Sequence, residues 1–130
     1  MKVGIAGYGV VGKTRHKSIL KNTNFKVIAV SENNPEARKG IPKDLEIYED
    51  YKSLINESDI DIVFISLPNR YAPDASIISL KKRLHVFCEK PPARTLAELE
   101  EVRRVFRQFS NLKLMYGFNH RFHLSVEEAK

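Results

Sequence analysis

The sequence predicts an α/β fold, a doubly wound parallel sheet of about six strands with helices between them along the chain. Two observations predict it. Short apolar segments rich in Val, Ile and Phe alternate with segments that have the spacing of amphipathic helices. A turn with three glycines, from Gly7 to Gly12, follows directly on the first apolar segment. Alternation of strand and helix at this spacing is typical of right-handed βαβ units, and such units build a parallel sheet.

Each predicted strand is a short apolar run. The six ranges are 3–6, 26–30, 46–48, 61–66, 85–88 and 113–116. The first, fourth and fifth runs are nearly continuous in their apolar residues. This pattern is expected of parallel strands that are buried on both faces of the sheet.

Four helices are predicted between these strands, at 9–21, 51–56, 73–82 and 96–109, and Arg38 is expected in a further helix. Asp50 is predicted to cap the second of the four, and Thr95 with Glu98 predicts a capping box at the start of the last. In that last helix the apolar residues share one stripe opposite the charges: Leu96, Leu99, Val102, Phe106 and Phe109.

The end of the sequence follows a different pattern from the rest. After the sixth strand come residues 117–122, and residues 125–130 have the pattern of a helix that has just begun. A helix that stops in its second turn has no reason to be a natural terminus. We therefore expect the chain to be the N-terminal piece of a longer protein.

Composition excludes several classes of protein. The chain has 22 Lys and Arg against 16 Asp and Glu, but these basic residues are scattered and not interleaved with aromatic ones, so we expect no nucleic-acid partner. We also expect no membrane association, because no apolar run approaches the roughly 20 residues that span a bilayer. A single cysteine, Cys88, and four histidines give neither a disulfide nor a metal site. We expect a cytoplasmic protein in which Cys88 is a small buried residue.

The segment GYGVVG carries the clearest functional signal. It consists of Gly7, Tyr8, Gly9, Val10, Val11 and Gly12, between the first strand and the first helix. Gly7 permits the tight turn, Gly9 lets the backbone approach a pyrophosphate, and Gly12 lets the helix pack against the strand. The diphosphate of a dinucleotide would then lie on the free N–H groups at the helix start. The motif therefore predicts a Rossmann-type dinucleotide site.

Glu32 indicates which dinucleotide is bound. It lies at the end of the second strand, where a carboxylate can accept hydrogen bonds from the hydroxyls of the adenosine ribose. The same carboxylate would repel a 2′-phosphate. Asn33 and Asn34 supply no cation, and Arg38 is the nearest arginine. The sequence thus favours NAD, and NADP is the weaker alternative.

Other polar residues follow the later strands. Pro68 and Asn69 follow the fourth strand, a segment that begins with Glu89 and Lys90 follows the fifth, and a segment that begins with Asn119 follows the sixth. In an open parallel sheet the ligand crevice lies beyond the carboxyl ends of the strands. We therefore expect these residues to gather at the edge that also holds the glycine-rich turn.

Four segments together resemble the nucleotide-binding half of the glucose-fructose oxidoreductase, inositol dehydrogenase and MocA family: GYGVVG, SLPNRYAP, LHVFCEKPPA and YGFNHRF. The resemblance covers the whole chain, and EKP is its most specific element. It implies NAD(P)-dependent oxidation or reduction of sugars, polyols or sugar nucleotides. It also implies a C-terminal α/β domain, absent from this chain, that carries much of the substrate site and often mediates oligomerisation. We accordingly expect residues 1–120 to form the NAD(P)-binding domain and 121–130 to begin the connection.

The resemblance also implies roles for individual residues. Lys90 matches the lysine of EKP, which lies near the nicotinamide and the reacting substrate oxygen, where a cation can stabilise a developing alkoxide. Glu89 would lie beside it, near the nicotinamide-side ribose. The remaining expected cofactor contacts are Leu67, Pro68, Asn69, Tyr71 (in place of a common histidine), Asn119 and Arg121.

The further acid/base residue of the family, commonly a histidine, comes from the second domain. We therefore expect this chain to bind the cofactor and to turn over little or nothing alone. A non-catalytic NAD(H)-sensing domain is the alternative, although a sensor does not need Lys90. Relatives usually have glycine at the position of Arg83, so this arginine is expected to adopt a positive φ at a helix end.

Overall fold

The computed structural model describes residues 1–129 and contains one six-stranded sheet. The strands are β1 (Lys2–Ala6), β2 (Lys26–Ser31), β3 (Glu46–Tyr48), β4 (Ile62–Ile65), β5 (His85–Cys88) and β6 (Leu114–Tyr116). Their order across the sheet is β3-β2-β1-β4-β5-β6, and all five pairings are parallel. This is the doubly wound Rossmann order, so the predicted fold class is confirmed.

Helices connect successive strands. They are α1 (Val10–Ile19), α2 (Pro35–Arg38), α3 (Tyr51–Glu57), α4 (Ala72–Lys81) and α5 (Leu96–Phe106), followed by a 3₁₀ turn (Asn119–Phe122) and α6 (Leu124–Glu128). Of the helix predicted at 125–130, Lys130 lies outside the described residues. None of the helices within residues 1–129 is long and apolar enough to span a membrane.

Two helices end two or three residues earlier than predicted, and the reason is local. The prediction placed their ends at residues 21 and 109, whereas α1 ends at Ile19 and α5 at Phe106. Beyond both ends the N–H groups bond three residues back, as in Asn22 to Ile19 and Phe109 to Phe106. Such bonds tighten the last turn and stop α-helical propagation. Phe109 nevertheless packs against the core from this turn.

The predicted helix caps are present, with one difference. The Asp50 carboxylate accepts the N–H groups of Lys52 and Ser53, and the Thr95 hydroxyl accepts the Glu98 N–H. In a full capping box Glu98 would return to the Thr95 N–H. Here it accepts the N–H of Arg94 at 2.8 Å and pairs with that residue's guanidinium, so the box is shifted by one residue.

The core lies on both faces of the sheet. Alternate residues of β1 point to opposite sides, so that Ile5 joins a cluster with α1 while Ala6 joins one with α3, α4 and α5. Both are 0% exposed. Leu96 is 72% exposed, so the apolar stripe predicted for α5 does not begin with it. Burial on both faces explains the continuous apolar runs of the central strands.

The end of α4 confirms the prediction for Arg83, whose φ is 62°. The Leu84 N–H donates to the Ser79 carbonyl at 3.0 Å and the Arg83 N–H to the Leu80 carbonyl at 2.9 Å. These two bonds form a Schellman motif, which requires a left-handed residue at this position. The Arg83 guanidinium also lies 5.6 Å from the centre of the Phe109 ring.

We expect Arg83→Gly to raise the free energy of unfolding slightly. Relief of the left-handed conformation gains about 1 kcal/mol, and loss of the cation–π contact returns part of it. Arg83→Ala is the control, because it loses the contact and keeps the strain. Urea denaturation should therefore place the glycine variant above the alanine variant, with NADH affinity unchanged in both. A glycine variant less stable than the alanine variant would contradict this account.

Candidate functional site

A cleft of about 430 Å³ opens at the carboxyl edge of the sheet. It lies where the strand order reverses between β1 and β4, which is the ligand position in doubly wound sheets. The residues that line it follow β1, β2, β3 and β4. Five of the predicted cofactor-binding residues are among them: Gly7, Gly9, Glu32, Leu67 and Pro68, with Tyr71 as a sixth at the cleft wall.

The three glycines of the turn have different reasons to be glycine. Gly7 has a φ of 88°, and a Cβ there would lie 2.7 Å from the Ser66 carbonyl oxygen. A Cβ on Gly12 would lie 2.1 Å from the Gly7 carbonyl oxygen. A Cβ on Gly9, in contrast, would meet nothing within 4 Å, and its backbone is not left-handed. Contacts within the chain explain why positions 7 and 12 must be glycine, whereas Gly9 faces open space in the cleft.

The start of α1 is arranged to receive an anion. Gly9 is its N-cap, no side chain caps it, and the first turn contains no acidic residue. Val10 and Val11, the first residues of α1, are 83% and 47% exposed. The partial positive charge at a helix start favours a negative group. Together with the open approach at Gly9, this geometry fits a diphosphate.

The side chain of Tyr8 does not line the cleft. Its side chain is 5% exposed and packs in the apolar cluster beside β1, with its hydroxyl bonded to Nδ1 of His16. Its backbone N–H donates to the Ser31 carbonyl at 3.0 Å. Burial raises the pKa of Tyr8 and lowers the pKa of His16, so both side chains are neutral at pH 7. Tyr8 therefore packs on the core side of the glycine-rich turn and is not part of the cleft lining.

Glu32 lies at the end of the cleft near β2. One carboxylate oxygen accepts the Asn34 N–H at 3.0 Å, which leaves the other oxygen for a ligand. Arg38 reaches back to this loop and donates from Nε to the Glu32 carbonyl at 2.6 Å. Its Nη1 also donates to Glu49, a second acid of the cleft lining, at 2.8 Å. Three carboxylates of the cleft lining, those of Glu32, Glu49 and Asp50, thus border this end, where sequence reasoning identified only Glu32 as a ligand contact.

The wall after β4 is aromatic and basic. The Arg70 guanidinium lies 4.6 Å from the centre of the Tyr71 ring, and this ring lies 6.0 Å from that of Tyr51. The Tyr51 hydroxyl donates to Asp74 at 2.7 Å, and burial together with this carboxylate raises the pKa of Tyr51. Asn69 is close in sequence but is not part of the cleft lining.

Sequence reasoning missed seven residues of the cleft lining: Glu49, Asp50, Tyr51, Arg70, Ser31, Asn33 and Ser66. A signal for the first three was available. They follow β3 directly, so the rule that ligands lie beyond the strand ends applies to them as it does to Glu32. The fourth directly follows the predicted segment Leu67 to Asn69 in the sequence.

A second group of predicted residues meets beside the cleft. Glu89 forms an ion pair with Arg15 of α1, and the two side chains are only 11% and 21% exposed. The Arg15 guanidinium also donates to the Asn119 Oδ1 at 3.3 Å and lies 5.2 Å from the Phe87 ring centre. Glu89 and Asn119 are therefore held by Arg15, a residue for which the sequence offered no functional signal.

Lys90 extends from this group into solvent and is exposed, as is Arg121 in the 3₁₀ turn. Neither contributes to the lining of the cleft. The partly buried ion pair of Arg15 and Glu89 holds the backbone next to Lys90. The structure thus separates the predicted residues into a cleft group, which can hold a dinucleotide, and an edge group, which presents a cation.

Cys88 lies between these groups but faces the core. It is 0% exposed, and burial raises the pKa of its thiol to about 12. A protonated, inaccessible thiol is not a nucleophile at neutral pH. Among the side chains that the structure describes, no three or more of His, Cys, Asp or Glu cluster closely enough to hold a metal ion.

Comparisons with known proteins agree with this geometry. A family model described as the oxidoreductase family with an NAD-binding Rossmann fold, GFO_IDH_MocA, matches residues 1–118. Inositol 2-dehydrogenase of Salmonella typhimurium is 31% identical over 136 residues, which cover 100% of this chain and 40% of that protein. D-glucoside 3-dehydrogenase of Escherichia coli is 26% identical and is covered to 38%.

A solved structure also matches nearly the whole of this chain. Scyllo-inositol dehydrogenase from Lactobacillus casei, with bound NAD(H) and scyllo-inositol, superposes with a TM-score of 0.88 at 31% identity. The match covers 99% of this chain and 39% of that one. The chain therefore spans about two fifths of the length of the relatives that it matches.

Proposed function

Because the chain belongs to the GFO_IDH_MocA oxidoreductase family and is its NAD-binding Rossmann domain, we propose that the whole protein is a dehydrogenase of polyols or sugars. The curated relatives are named as inositol and glucoside dehydrogenases, which supports oxidation of a secondary hydroxyl. Residues 1–120 form the cofactor domain, and 121–130 begin the connection to a substrate domain. That domain supplies the further acid/base residue and the oligomer contacts, in a cytoplasmic enzyme.

Gly9 is the single observation that carries the cofactor part of this proposal. Open space surrounds its missing Cβ, so nothing in the described chain requires a glycine at this position. The requirement comes from a ligand that approaches the backbone closely. A diphosphate at the uncapped start of α1 meets that description, because it is anionic and can accept hydrogen bonds from the free backbone N–H groups there.

Lys90 is the residue that we assign to the reaction. Bound in the cleft, NAD would supply the acceptor for a hydride from the carbon of the substrate alcohol. The Lys90 ammonium group lies at the same sheet edge and stabilises the negative charge that develops on the substrate oxygen. Arg15 and Glu89 form an ion pair next to Lys90 in the chain, which holds the backbone from which the Lys90 side chain extends.

The experiment is a fluorescence titration of the chain with NADH and with NADPH. We expect NADH to bind at least about tenfold more tightly, because Glu32 accepts the ribose hydroxyls and repels a 2′-phosphate. Glu32→Ala should weaken NADH binding on the order of tenfold and narrow the difference between the NADH and NADPH affinities. Glu36→Ala is the matched control, since Glu36 is exposed, pairs with Lys39 and lies outside the cleft lining. Equal affinities in the unchanged chain would refute the role of Glu32.

A further inference from the structure

The guanidinium of Arg38 makes three hydrogen bonds beside the cleft. Its Nε and Nη2 donate to the carbonyl oxygens of Glu32 and Asn33, at 2.6 and 3.3 Å. Its Nη1 donates to Glu49 Oε1 at 2.8 Å. Glu49 belongs to the cleft lining, so its carboxylate lies between the cleft and the Nη1 of Arg38.

The Glu49 carboxylate lies where a ligand anion would pair with Arg38. Guanidinium groups bind carboxylates and phosphates with the same planar arrangement of donors, so one anion can replace the other. Glu49 is 80% exposed at its side chain, whereas Arg38 is 23% exposed. A partner that is largely solvated contributes little to stability and exchanges readily, while the arginine itself is fixed by the two carbonyl groups.

We propose that Arg38 is a specificity-determining residue, because it forms a latent site for the 2′-phosphate of NADP. The Glu49 carboxylate occupies this site, and the Glu32 carboxylate repels a phosphate that approaches it. The inference rests on the proposed dinucleotide function of the cleft. It changes the reason for the preference for NAD. The sequence attributed that preference to one acid and the lack of a nearby cation, whereas the structure has the cation in place and neutralises it with a second acid.

Other charged groups at this end do not provide an equivalent site. The Asp50 carboxylate accepts the backbone N–H groups at the start of α3, and Lys39 pairs with Glu36 on the outer side of α2. Arg70 is the one competing cation among the described residues of the cleft lining, and it lies over the Tyr71 ring after β4. A test of the proposal must therefore separate Arg38 from Arg70.

The test compares NADH and NADPH affinities in a set of variants of this chain. Each single variant, Glu32→Ser or Glu49→Gln, should raise NADPH affinity only a few-fold, because the other carboxylate remains. The double variant should bind NADPH at least tenfold more tightly than the unchanged chain does. Addition of Arg38→Met should remove that gain, whereas addition of Arg70→Met should retain it.

Two further measurements keep the outcome decisive. Arg38→Lys in the double variant keeps the charge but loses the planar donors, so it should retain part of the gain even if the methionine variant folds poorly. The proposal would be overturned if the double variant gained no NADPH affinity. It would also be overturned if the gain in NADPH affinity survived Arg38→Met or was lost with Arg70→Met. If the unchanged chain does not bind NADH at all, the proposed function fails, and this result is distinct from a failure to gain NADPH binding.

Discussion

Replacement of Gly9 by aspartate is expected to abolish NADH binding while the chain keeps or slightly gains stability. The two effects have different origins. Aspartate is a better N-cap than glycine, and a Cβ at this position would meet no described atom within 4 Å. The same carboxylate would stand where the diphosphate approaches the turn, and like charges repel strongly in a partly enclosed site. We expect a loss of affinity on the order of 100-fold or more, about 3 kcal/mol.

Titration by NADH fluorescence and urea denaturation of the same samples would measure both effects. Gly9→Asn is the matched control, because asparagine has the shape and capping ability of aspartate without its charge. It should lose part of the affinity through its bulk, and the difference between the two variants reports the charge. Gly40→Asp adds an acid at another glycine with an open surrounding, outside the cleft lining, and should leave binding unchanged. Undiminished NADH affinity in Gly9→Asp would place the diphosphate elsewhere.

The sheet could be predicted from the sequence because its determinants are local or periodic. Apolar runs, the alternation of strands with helices and the glycine-rich turn are visible without contacts, and the handedness of βαβ units then restricts the topology. Arg83 shows how far such reasoning extends. A single replacement of an expected glycine predicted a left-handed residue, and the Schellman bonds at the end of α4 explain it.

Side-chain direction within a motif could not be predicted in the same way. Tyr8 lies between two glycines that face the cleft, yet its ring is turned into the cluster beside β1 and bonded to His16. The motif specifies backbone positions and gives no information about where an intervening side chain points. A buried tyrosine needs a partner for its hydroxyl, and His16 meets that need eight residues further along.

Ion pairs between distant segments are the other part that the sequence does not show. Arg15 and Glu89 are 74 residues apart, and Arg38 and Glu49 are 11 apart. In the sequence, nothing distinguishes these four charged residues from ordinary surface residues. Only the fold brings α1 against the end of β5, or α2 against the segment after β3, and so gives these charges their roles at the site.

Replacement of Gly12 by alanine is expected to destabilise the chain by about 3 kcal/mol or more, although alanine is the better helix former. Its Cβ would lie 2.1 Å from the Gly7 carbonyl oxygen, which is backbone and cannot rotate away. The Gly7 turn is itself confined, because its φ is 88° and the Ser66 carbonyl lies on its other side. The clash therefore outweighs the gain in helix propensity, which is about 1 kcal/mol. Gly9→Ala is the matched control and should change stability by less than about 1 kcal/mol. Urea denaturation that gave both alanine variants the stability of the unchanged chain would show that α1 can move away from β1. In that case Gly12 would not be what holds the helix start, and with it the anion-binding amides, against the sheet.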